Sequence, residues 1–105
     1  MNEISVAELK RRRDAGDTLT LLDVREQDEL ATASIAGAKT IPMGEIPARA
    51  AEIPRDVPLV VMCHHGGRSA RVVQFLEANG YTNAVNLDGG IDAWSVEIDP
   101  SVPRY

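Results

Sequence analysis

The chain has 105 residues, 44% of them hydrophobic and 26% charged, the balance of one ordinary globular domain. Its 16 acidic against 11 basic side chains give a net charge of −5, the wrong sign for a general nucleic-acid binder. No run is long enough to cross a bilayer, the opening MNEISVAELKRRR lacks an apolar leader core, and a lone cysteine excludes an internal disulfide framework.

Ser5-Val6-Ala7-Glu8 has capping-box spacing, so a helix is expected over residues 5–16, closing at Gly16. The basic run KRRR at 10–13 falls in its last turn, where cations suit the negative end of the helix dipole. It reads as a solvated face rather than a polyanion patch. Residues 19–25, LTLLDVR, read as a buried strand ending in an acid, with Asp23 expected to fix the strand end through Arg25. A short helix is expected over 26–34, a second strand over 38–43 stopped by Pro42, and a weak helix over 45–53 framed by Pro47 and Pro54. Residues 58–63, PLVVMC, are the most strand-like run, β-branched and uncharged. The strongest helix follows over 68–80, with Val72, Val73, Phe75 and Leu76 as its apolar stripe and Gly80 as its cap. Another strand at 83–87, a Gly89-Gly90 turn and a last short helix lead to a proline-broken tail at 98–105, expected as surface coil. Trp94 in that last helix is expected to pack in the core.

Strands alternate with helices, and the strands lack in-out alternation. Both features predict an α/β fold, a mostly parallel sheet of about five strands with helices on both faces. There is no internal repeat or linker, so residues 1–105 are expected to form a single domain. Ligands of such sheets bind at the carboxyl ends of strands, where Cys63 falls.

The stretch after Cys63 is His64, His65, Gly66, Gly67, Arg68 and Ser69. A strand-turn-helix with glycines at the bend lets successive backbone N–H groups point at one spot, and the following helix aims its positive end there. If the anion at that spot is the Cys63 sulfur, its pKa falls and the thiolate becomes available near neutrality. Gly66 and Gly67 tolerate positive φ and close backbone approach, Arg68 is expected to add a positive charge at the rim, and Ser69 to offer a hydroxyl. A metal site from Cys63, His64 and His65 is not expected, because adjacent residues rarely aim together and no further Cys or His completes the set.

CHHGGRS after LVVM resembles the active-site loop of rhodanese-like sulfurtransferases, and LLDVREQDEL, IAGAKTIPM and NLDGGIDAW follow the same family in order. The resemblance implies a rhodanese-like α/β sandwich in which Cys63 carries sulfur as a persulfide and residues 64–68 cradle it. One departure is local: Ser34 and Ala36 in ASIAGA stand where members often have histidine and proline. The implied chemistry needs no cofactor. It uses a small donor such as thiosulfate and an external acceptor, a thiol, cyanide or a protein, in a reducing, cytoplasmic setting and in a chain that needs to be no more than a monomer.

Related folds use a cysteine loop for phosphate or arsenate chemistry, with five residues between Cys and Arg in tyrosine-phosphatase-type loops. Here Cys63 and Arg68 enclose only the four residues HHGG, a tighter ring around one sulfur. A phosphatase also benefits from a leaving-group acid, for which Asp23, Asp88 and Asp92 are the candidates. A catalysis-free interaction module is the remaining alternative.

Overall fold

Runs of β-branched and aliphatic residues separated by helix-forming segments give parallel strands covered on both sides. A computed structural model describes residues 2–105. The elements in chain order are β1 (Glu3–Ile4), α1 (Val6–Asp14), β2 (Thr20–Asp23), α2 (Gln27–Thr32), β3 (Lys39–Thr40), α3 (Ile46–Arg49), β4 (Leu59–Met62), α4 (Gly67–Ala78), β5 (Ala84–Leu87) and α5 (Gly90–Glu97). The five strands pair in parallel in the order β1-β5-β4-β2-β3, which puts β4 at the centre.

β4 shows why its sequence is apolar without alternation. Successive strand side chains go to opposite faces of a sheet, and here both faces are covered. Leu59 and Val61 pack with Val72, Val73 and Leu76 of α4. Val60 and Met62 pack on the other face with Leu9 of α1 and Ile91 and Trp94 of α5. Cys63 is next in line on the α4 side, where the positive end of α4 begins.

Most expected elements are present within a residue or two, and the differences have local causes. β1 was not anticipated: two residues carry no periodicity, and only pairing of Glu3 with Asn86 and Ile4 with Leu87 makes them a strand. Ser5 caps α1 by accepting the Glu8 N–H at 3.1 Å, but the Glu8 carboxylate turns forward to Arg11 and Arg12. The weak helix over 45–53 is broken into a 3₁₀ turn, the four residues of α3 with Pro47 in its first turn, and another 3₁₀ turn. Trp94 is a core residue, with the Arg13 guanidinium 5.8 Å from its ring centre.

The tail departs from the expectation of surface coil. It has no regular structure, yet Val102 is buried and its carbonyl accepts the Ser95 hydroxyl at 2.5 Å. That anchor returns the last residues to the carboxyl end of the sheet, where Arg104 meets Asp92 of α5 and Tyr105 meets the cysteine loop and α2.

Candidate active site

Cys63 directly follows β4 and is 1% exposed. Gly66 bends the chain with φ +114°, and its N–H donates to the Cys63 Sγ at 3.1 Å. The Ser69 hydroxyl lies 3.3 Å from the same sulfur, and the main-chain amides of Ser69 and Arg68 add to the field that favours its anion. Burial pushes the thiol up, but the Ser69 hydroxyl and the amides of Ser69, Gly66 and Arg68 together hold it below the ordinary thiol value. The sulfur is thus buried and solvated by the protein's own donors.

The two loop glycines differ. Gly66 takes the left-handed conformation, whereas Gly67 does not; it is the first residue of α4, and a Cβ there meets nothing within 4 Å. Helix residues want less backbone freedom than glycine has, so Gly67→Ala is expected to raise stability by about 0.5–1 kcal/mol in urea unfolding.

The loop is held from outside by α5. The N–H of Ile91 donates to the Cys63 carbonyl at 2.9 Å and that of Asp92 to the His64 carbonyl at 3.1 Å. Because a trans peptide sets N–H opposite to C=O, turning these two carbonyls toward α5 turns the next amides, of His64 and His65, away from it. The Gly89-Gly90 turn brings α5 this close: both residues have positive φ, 79° and 60°.

A polar chain runs behind the sulfur. The Ser69 hydroxyl lies 2.5 Å from the Asn86 Oδ1, and the Asn86 amide donates to the Gly66 carbonyl at 3.2 Å and to Glu3 Oε2 at 3.3 Å. One hydroxyl carries one proton, so Ser69 cannot donate fully to both Asn86 and the sulfur. Forming the thiolate favours turning that proton toward sulfur.

The rim is more occupied than the sequence implies. Arg68 is not a free cation: its two terminal nitrogens meet the Glu29 carboxylate of α2 at 2.5 and 2.8 Å. Arg68 holds Glu29 well below the usual carboxylate range, at about 2, with the Tyr105 hydroxyl adding to the effect. His64 lies between two rings, Tyr105 at 3.9 Å and His65 at 3.8 Å between centres. Its pKa is lowered by burial and by the neighbouring His65, and its Nε2 is buried without a hydrogen-bond partner. His65 is exposed.

The three aspartates have other work or lie outside. Asp23 pairs with Arg25 at 2.7 Å, both buried, as expected of a strand-end anchor. Asp92 binds Arg104 through both oxygens, at 2.9 and 3.2 Å, and Asp88 is exposed. His64, His65 and Asp92 bring one metal-ligating atom each within 4.8 Å of one another, a set that does not include Cys63. The Arg104 guanidinium already on Asp92 opposes a second cation there.

The model of the rhodanese-like domain family matches residues 5–97. The chain belongs to that family. YtwF of Bacillus subtilis is 39% identical over 100 residues, which span 95% of this chain and 96% of that protein. A protein named sulfurtransferase from Allochromatium vinosum is 38% identical, covering 90% of this chain and 89% of its own. The crystal structure of a rhodanese-like domain protein from Staphylococcus aureus superposes with a TM-score of 0.86 at 36% identity, covering 100% of this chain and 99% of that one.

In this rhodanese-like fold the sequence reading located the cysteine loop but missed four residues that shape it. Asn86 carried a usable signal, a polar residue in the otherwise apolar AVNL strand, and it is 2% exposed. Gly90 read only as a tight turn. Glu29 and Tyr105 carried no signal, because their contacts with Arg68 and His64 span 39 and 41 residues of chain.

Proposed function

We propose that the chain is a single-domain sulfurtransferase that carries a sulfane sulfur on Cys63 as a persulfide. The observation behind this is the set of main-chain amides turned onto a buried sulfur, which lowers the thiol pKa against the effect of burial. Membership of the rhodanese-like family, and the name of the Allochromatium vinosum relative, agree with it.

In the first step the Cys63 thiolate attacks the outer sulfur of thiosulfate. The Cys63 S–S bond forms, the donor S–S bond breaks, and sulfite leaves with the electron pair; three negative charges stand on each side. The amides of Gly66, Arg68 and Ser69 stabilise the anion before and after transfer. In the second step an external nucleophile, cyanide in the test tube or a thiol in a cell, takes the terminal sulfur and restores the thiolate. The single cysteine means that the persulfide cannot resolve as an internal disulfide, so the acceptor comes from outside. Such covalent, two-stage transfer follows ping-pong kinetics. At 1% exposure Cys63 meets a donor only when the side chains around it part.

Incubation with thiosulfate should add one sulfur atom to the intact protein, removable by cyanide, and none to protein whose thiol has been alkylated beforehand. Loading that survives prior alkylation, or no loading at all, would overturn the assignment.

A further inference from the structure

The Glu29 carboxylate sits where four donors converge. Arg68 reaches it with two nitrogens, at 2.5 and 2.8 Å, the Tyr105 hydroxyl donates to Oε2 at 2.6 Å, and the Glu26 N–H donates to Oε1 at 3.1 Å. Tyr105 is itself fixed: Arg25 donates to its hydroxyl at 3.0 Å, and its ring stacks on His64 with 6° between planes. A guanidinium fork fits two oxygens of one planar or pyramidal anion, whether carboxylate or sulfonate. Here the fork beside the sulfur already holds an anion that belongs to the chain.

We propose that Glu29, fastened by Tyr105, is a specificity-determining residue that discriminates among sulfur donors by charge. With Glu29 in place, Arg68 and its partner sum to zero charge. An anionic donor then meets no net attraction at the mouth and must displace an internal carboxylate to use Arg68. An uncharged donor needs neither. The Tyr105 hydroxyl and the Glu26 amide keep Glu29 in position independently of Arg68, so the carboxylate is not simply free to swing aside. The proposal rests on reading Cys63 as the sulfur carrier, but its physical content, the charge selectivity of access to Cys63, can be measured without any sulfur donor.

The experiment compares alkylation of Cys63 by iodoacetate and by iodoacetamide, reagents of similar size and the same leaving group that differ by one negative charge. In Glu29→Gln the iodoacetate-to-iodoacetamide rate ratio should rise about tenfold over wild type, as an uncompensated Arg68 attracts the anion. Tyr105→Phe loses only the hydroxyl, keeps the stacked ring, and should raise the ratio by about threefold. Glu77→Gln removes the same charge from an exposed site near the far end of α4, about 15 Å along the helix, and should leave the ratio unchanged. The thiosulfate KM of Glu29→Gln should fall more than its kcat changes. Equal acceleration of both reagents would show a merely steric cover and overturn the proposal, as would an unchanged ratio. If Glu29→Gln does not fold, the ratio for Tyr105→Phe decides alone. Failure of wild-type protein to load sulfur would instead count against the sulfurtransferase reading, leaving the ratio to stand or fall by itself.

Discussion

Alanine at position 90 is expected to cost the protein about 2–4 kcal/mol of stability and to slow sulfur transfer by roughly two orders of magnitude. Gly90 has φ +60°, a conformation that side chains rarely adopt, and a Cβ there would lie 2.5 Å from both the Cys63 and the His64 carbonyl oxygens. Those are the oxygens that Ile91 and Asp92 hold. Both partners in the clash are main chain, so no flexible side chain can yield. Either α5 backs away, releasing the carbonyls, or the loop shifts; in both cases the amides around the sulfur lose their common aim. Urea unfolding measures the first effect, and cyanide-dependent turnover with thiosulfate the second. A Gly90→Ala protein whose thiol still titrates as in wild type would show that α5 does not set the loop.

Ser69→Ala is expected to move the midpoint of the Cys63 alkylation pH profile up. The sign follows from the proton. The folded protein holds the thiol below its ordinary value, so the reactive thiolate is present above a lowered midpoint. Removing one donor to that thiolate raises the midpoint. The variant therefore lags most just above the wild-type midpoint and catches up at high pH, where both are ionised. The same change strands the buried Asn86 Oδ1, which Ser69 meets at 2.5 Å, and should cost about 1–3 kcal/mol in unfolding. A lost Asn86 contact with an unmoved midpoint would mean that Ser69 serves the fold and not the sulfur.

Local chemistry made the cysteine loop readable: a strand run, two glycines and a helix start lie within a dozen residues, and each obeys a short-range rule. The resemblance to rhodanese-like sulfurtransferases was legible for the same reason, since its segments are contiguous. Arg68 shows the limit. Its charge is plain in the sequence, but its neutralisation depends on Glu29, brought near by the packing of α2 against the loop and not by spacing. Tyr105 is similar, reaching His64 only because the buried Val102 anchors the tail. β1 belongs to the same class, two residues defined by what they pair with. Short-range rules located the cysteine loop; what surrounds it was decided by tertiary contacts.

The near-complete burial of Cys63 has a consequence for the order of events in the proposed cycle. A persulfide sets its outer atom about 2 Å beyond the cysteine sulfur. The empty carrier is therefore shielded from passing oxidants, whereas the outer sulfur of a loaded carrier would lie that much farther from the strand end than the thiol does. Loading itself would advertise readiness to an acceptor, with no rearrangement of the sheet.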